Sequence, residues 1–170
     1  MANNQEITVI LDNIRSIHNV GSIFRTADAA GVSKIYLVGT TPSPVDRFGR
    51  KRKDLAKVSL GAEESVAWEY VADRKATLDL IKNLKKEGFT VIALEQDERS
   101  VDYREVSLKM KSGSTKKNGG VALILGNEVG GVSKELLDAS DVIAEIPMAG
   151  KKESLNVSVA AGVALFQLNT

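Results

Sequence analysis

Apolar positions follow two different periods along this chain. Short continuous runs occur at residues 7–11 (ITVIL), 34–38 (KIYLV), 90–95 (TVIALE), 121–125 (VALIL) and 142–146 (VIAEI), with a weaker run at 68–71. Runs of this length, ended by polar or glycine positions, predict strands, with 7–11 buried and 121–125 central. Between them the period becomes helical. Over residues 19–30, Val20, Ile23, Phe24, Ala27 and Ala30 share one face, and Gly31 follows as a stop. Over residues 76–87, Ala76, Leu80, Ile81 and Leu84 face in while Asp79, Lys82, Lys85 and Lys86 face out. Residues 133–138 predict a short helix with Ser133 as its N-cap, and residues 51–64 a short helix broken near Gly61. Pro42 and Pro44 place residues 39–49 in a loop, and the polar, glycine-bearing run 112–120 is expected to be disordered.

Alternating strands and helices imply an α/β fold with a mainly parallel sheet flanked by helices. No internal repeat or domain boundary interrupts the pattern, so residues 1–170 read as a single domain. The last helix, expected over residues 156–168, departs from the amphipathic rule. Val157, Val159, Ala160, Val163, Ala164 and Phe166 leave it little polar face, so the fold or a partner subunit must cover it.

Composition narrows the classes. With no cysteine and one histidine, disulfides are excluded and a structural zinc site has no ligand set; no metal is expected. No apolar run approaches the roughly 18 residues that span a bilayer, so no membrane association is expected. The opening MANNQEITVIL has no charged segment ahead of its apolar run, unlike a signal peptide, and the cytoplasm is the expected compartment. Net charge is only +1, but it is segregated. Arg47, Arg50, Lys51, Arg52, Lys53 and Lys57 crowd one segment, and Lys109, Lys111, Lys116 and Lys117 another. Glu95, Asp97, Glu98, Asp102 and Glu105 form an acidic stretch. Segregated charge lets one face hold a phosphate chain despite a near-neutral total.

Three segments place polar side chains at the edges of apolar elements: NVGSIFRTADAAGV (residues 19–32), LILGNEVGGVS (123–133) and IPMAGKKESLNVSV (146–159). Each has a plain structural reading. Asn19 suits a helix N-cap, Arg25 a solvated arginine, Glu128 a solvated turn, and Ser154 or Asn156 a second cap. Read for chemistry, Arg25 points off the Ile23/Ala27 stripe among small neighbours, where a bulky anionic partner can approach it. Gly126, Gly130 and Gly131 permit close backbone approach to a ligand. Neither a dinucleotide fingerprint nor a P-loop is present. Three such edges, far apart in sequence, suggest one composite site.

Taken together, N-x-G-x-x-x-R-T-A, L-G-N-E-x-x-G and I-P-M-x-G-x-x-E-S-L-N-V-S-V-A resemble the signature motifs of the SpoU (TrmH) family of RNA 2′-O-ribose methyltransferases, within the SPOUT superfamily. The resemblance covers nearly the whole chain. It implies a C-terminal deep trefoil knot, which no periodicity reveals, and S-adenosylmethionine bound in the knot. The matching positions are Leu94, Gly126, Ile146, Met148, Leu155 and Val157 for cofactor binding, and Asn19, Arg25, Glu128, Ser154 and Asn156 for catalysis. Arg25 is the base commonly assigned in the family, although a guanidinium is hard to deprotonate and suits a phosphate or a forming alkoxide better. Glu128 is expected to hold Arg25 or the ribose. The resemblance further implies an obligate homodimer with the site at the subunit boundary, and an RNA substrate, tRNA or rRNA, with guanosine favoured over the wobble-base branch.

Many relatives carry an added RNA-binding domain. Here the first strand starts by residue 7, so RNA affinity is expected from Arg47, Arg50, Lys51, Arg52, Lys53 and Lys57, with the second lysine cluster as a weaker candidate. Two rivals stand beside this reading. A catalytically inactive RNA-binding SPOUT protein would lack methyl transfer. An unrelated nucleotide-binding α/β module would prefer flavin or dinucleotide to S-adenosylmethionine.

Overall fold

The computed structural model of the chain describes residues 5–106 and 119–170. Lys109, Lys111, Lys116 and Lys117, and the 112–120 run up to residue 118, lie outside the described residues. Strands β1 (Ile7–Asp12), β2 (Lys34–Val38), β3 (Ala67–Val71), β4 (Thr90–Leu94), β5 (Val101–Asp102), β6 (Val121–Leu125) and β7 (Val142–Glu145) form one sheet. Helices α1 (Ile17–Ala29), α2 (Lys53–Ser59), α3 (Ala62–Ser65), α4 (Arg74–Lys86), α5 (Lys134–Ala139) and α6 (Val157–Leu168) flank it. The strand order is β3-β2-β1-β6-β4-β7-β5, and these strands all pair parallel.

The continuous apolar runs are explained by two cores. Successive strand residues point to opposite faces, and both faces are covered. Ile7, Val9 and Leu11 of β1 join Leu123 and Leu125 of β6 in a core with Val20, Ile23 and Phe24 of α1, Leu55 of α2, and Ala161 and Leu165 of α6. Ile10 of β1 and Ile124 of β6 face the other way, onto Ile81 and Leu84 of α4 and Leu136 and Leu137 of α5. The α1 and α2 backbones meet at Gly21, where an added Cβ would lie 2.8 Å from Val58 Cβ and 3.0 Å from the Leu55 carbonyl oxygen.

Two details differ from the pattern-based expectation. Helix α1 begins two residues before Asn19, because Ser16 is its N-cap and accepts from the Asn19 N–H at 3.1 Å. Asn19 is therefore not a cap, and its side chain is free for another task. The acidic stretch near residue 100 contains an unexpected element: the two-residue strand β5, followed by a 3₁₀ turn at Tyr103–Glu105. The ambiguous 51–64 segment resolves into α2 and α3, separated by Leu60 and Gly61 at positive φ.

Candidate functional site

The carboxyl ends of β6, β4 and β7 lie side by side, where open parallel sheets place their ligands. Leu94, Leu125 and Glu145 end these strands, and the segments that follow them enclose a cavity of about 690 Å³. That volume suits a small-molecule ligand, for which roughly 300–1,000 Å³ is typical.

One wall is the turn after β6, and its glycines are required by contact. A Cβ on Gly126 would lie 2.2 Å from the Val132 nitrogen. Gly131 has φ +67°, and a Cβ there would lie 2.1 Å from Glu95 Oε2. Asn127 shapes the turn from inside: its Oδ1 accepts from the Val129 and Gly130 N–H groups at 2.9 and 3.0 Å, and its Nδ2 donates to the Asn13 carbonyl at 2.7 Å. Glu95, one residue beyond β4, accepts from the Val132 N–H at 2.9 Å and from the Gln96 N–H at 2.8 Å. Its carboxylate thus ties the β6 turn to β4. Sequence reasoning missed both roles. Glu95 passed for one acid in an acidic stretch, although its place immediately after a buried strand was a usable signal.

All six positions expected to hold a cofactor line this cavity: Leu94, Gly126, Ile146, Met148, Leu155 and Val157. Glu95, Glu128 and Glu145 line it too, whereas no Lys or Arg does among the described residues. Such a wall favours a cationic ligand and disfavours a polyphosphate.

At the cavity mouth the three motif segments are joined by hydrogen bonds. Glu128 Oε1 accepts from Asn19 Nδ2 and the Ser16 N–H, each at 3.1 Å, and Oε2 accepts from the Arg15 N–H at 3.1 Å. Asn19, only 6% exposed, in turn accepts at Oδ1 from Asn156 Nδ2 at 3.2 Å. Asn156 caps α6, accepting from the Ser158 N–H at 2.9 Å. Partial burial by itself would raise the Glu128 carboxyl pKa. The N–H groups of Arg15, of Glu128 itself and of Ser16, with the Asn19 amide, outweigh burial and hold it below the ordinary carboxylate value.

The other two catalytic candidates stand outside this network. Ser154 is exposed and lines the cavity. Arg25 lies further along α1, exposed and not among the residues that line the cavity. Both Glu128 oxygens accept from the start of α1 and from Asn19.

The basic segment lies on the turn and helix that follow β2. Arg47, Arg50, Lys51, Lys53 and Lys57 are exposed, and Arg52 is half-buried. Two of the charges are already paired, Arg50 with Asp46 at 2.8 Å and Lys51 with Glu64 at 2.5 Å. Arg47 and Arg50 also stack on the Phe48 ring.

Comparison with known proteins places this arrangement. Residues 6–166 match the model of the SpoU rRNA Methylase family. The chain is 36% identical over 162 residues to the tRNA (guanosine(18)-2'-O)-methyltransferase of Thermus thermophilus, covering 95% of this chain and 73% of that protein. It is 35% identical over 161 residues to a 23S rRNA (guanosine-2'-O-)-methyltransferase of Ralstonia nicotianae, covering 95% of this chain and 57% of that protein. The chain thus spans little more than half the length of some of the curated relatives it matches. Among solved structures, the AdoMet-bound rRNA methyltransferase from Sinorhizobium meliloti superposes with a TM-score of 0.77 at 33% identity, covering 98% of this chain and 56% of that one. The A. aeolicus TrmH/SpoU tRNA modifying enzyme gives 0.75 at 32% identity, with 98% and 75% covered.

Proposed function

The chain belongs to the SpoU rRNA methylase family, and on that premise we propose that it transfers a methyl group from S-adenosylmethionine to a ribose 2′-hydroxyl of tRNA or rRNA. The observation that carries the reading is the hydrogen-bonded chain Glu128–Asn19–Asn156 at the mouth of a carboxylate-lined cavity. It joins all three motif segments at one point, which three independent helix caps would not do.

The residues fit the cofactor. Its sulfonium and ammonium groups suit a wall bearing Glu95, Glu128 and Glu145, and its adenine suits Leu94, Ile146 and Leu155 with the backbone of the β6 turn. S-adenosylmethionine supplies an electrophilic methyl when bound. The protein's part is positioning and charge. Glu128 is ionised at neutral pH, and its carboxylate fixes the start of α1 and orients Asn19. Asn19 and Asn156 hold the starts of α1 and α6 in fixed relation. Ser154, exposed at the cavity edge, is placed to bind the ribose. Arg25 presents an exposed guanidinium with no ion pair among the described residues, suited to a flanking phosphate and to the charge that grows on the 2′-oxygen as its proton leaves. A 2′-hydroxyl acceptor restricts the polymer to RNA, and the guanosine named for the relatives supports guanosine as its base.

The same reading takes the chain as a homodimer in the cytoplasm. Val159 and Phe166 of α6 are 51% and 53% exposed, and a second copy would cover them. Arg25, away from the cavity wall, suits a site completed at that boundary. The insertion of β6 between β1 and β4, and of β7 between β4 and β5, supports the knotted path of the family.

Calorimetry separates this reading from a flavin or dinucleotide module. S-adenosylhomocysteine should bind saturably, and flavin mononucleotide and NAD should not. No binding of S-adenosylhomocysteine at millimolar concentration removes the basis of the proposal.

A further inference from the structure

We propose that the turn over residues 46–50 is a stacking platform for one unpaired RNA base, with the Phe48 ring as its surface. The inference deepens the RNA-methyltransferase reading and rests on it. Phe48 is 67% exposed at the tip of a rigid turn. Asp46 Oδ1 accepts from the Phe48 and Arg50 N–H groups at 2.8 and 3.0 Å, and the Asp46 carbonyl accepts from the Gly49 N–H at 2.9 Å. A bridge between Val45 and Lys51 closes its base. A turn braced in this way presents the ring to solvent at little further entropic cost on binding.

The charges around the ring point to a nucleobase. Arg47 and Arg50 place their guanidiniums 4.8 and 5.0 Å from the ring centroid. Arg50 is paired with Asp46 and Lys51 with Glu64 on the exposed surface. Arg47 has no ion pair among the described residues and can leave the ring for a phosphate as a base takes its place. A lone aromatic amid cations, rather than a broad apolar patch, suits single-stranded RNA, where every base offers a π-face.

The platform is also fixed relative to the catalytic cluster. The Arg52 N–H donates to the Pro44 carbonyl at 2.9 Å where the turn leads into α2. Helix α2 abuts α1 at Gly21, two residues after Asn19. A base stacked on Phe48 is therefore held in set relation to the ribose held near Asn19 and Asn156.

The test uses the full chain and an RNA stem–loop carrying 2-aminopurine in its unpaired loop, titrated across a salt series. Wild type should bind and quench the fluorophore. Phe48→Ala should lose the quenching and weaken binding by about five- to a hundredfold, with the salt slope unchanged. Phe48→Trp should restore both, and S-adenosylhomocysteine affinity should match wild type in each variant. Wild-type-like binding and quenching by Phe48→Ala overturns the platform and leaves the ring to a protein partner. A changed slope in that variant overturns it in favour of a charge effect. If wild type binds unfractionated tRNA but not the stem–loop, the platform alone fails. If it binds neither, the RNA reading fails as well.

Discussion

Glu128 is the residue on which the cluster turns, and its ionisation can be read in stability. Its pKa in the folded chain lies below the ordinary value of roughly 4.3. The stabilisation from its ionised form is therefore complete above that pH and is lost as pH falls through the lower, folded value. Glu128→Gln should be less stable than wild type at pH 7, and the gap should narrow as the solution is taken below pH ~4. Denaturant midpoints between those limits measure it, and a constant gap would deny the carboxylate its role. Arg25 makes the complementary case. Arg25→Ala should cut methyl transfer on the order of 10²–10³-fold with cofactor affinity nearly intact, and Arg25→Lys should recover only part. Near-normal turnover in the alanine variant would move the chemistry elsewhere. At this scale the sequence named Asn19, Glu128 and Asn156 and offered Asn156 as a helix cap, which it is, but it did not show the bonds that join the three. A cap at Asn19 was a sound local reading; Ser16, three residues earlier, competes for the same position and wins. Which side chains meet across a separation of more than a hundred residues is not a local property.

The turn after β6 is the element that depends most on its neighbours. It is strung between Gly126 and Gly131 and fastened to β4 by Glu95. Glu95→Ala leaves the Val132 N–H without its acceptor and should weaken S-adenosylhomocysteine binding about tenfold, since an orphaned donor costs about 1–3 kcal/mol. Glu95→Gln keeps an acceptor and should lose less. Unchanged calorimetric affinity in the alanine variant would show that the turn holds itself. Elements were legible in proportion to length. The five-residue strands β2 and β6 match their apolar runs, because four or five buried residues in a row leave little choice of structure. Strand β5 has only two residues, too few to display a period, and its charged setting hid it.

For the whole molecule, the alternation of periods was sufficient for a parallel α/β sheet, but not for its order. Nothing in the runs says that β6 enters between β1 and β4. Hydrophobicity encodes single elements, and the order in which they pair belongs to the whole chain path. The apolar last helix is the exception: its missing polar face was legible, and the structure leaves Val159 and Phe166 outward. Light scattering at low micromolar concentration should therefore give about twice the 18.3 kDa chain mass. Phe166→Glu should shift it toward monomer, whereas an active wild-type monomer would contradict the assembly. Obligate dimers commonly bury ~2,000 Å² or more, so one buried charge in the seam is a severe perturbation.

The central claim is methyl transfer to a ribose oxygen. The purified chain is incubated with S-adenosylmethionine carrying a deuterated methyl group and with unfractionated tRNA and rRNA. The RNA is then digested to nucleosides for mass spectrometry. The expected result is label on the ribose of 2′-O-methylguanosine, strongly reduced in Arg25→Ala. Label on a base, or no label from a chain that binds S-adenosylhomocysteine, would contradict the claim.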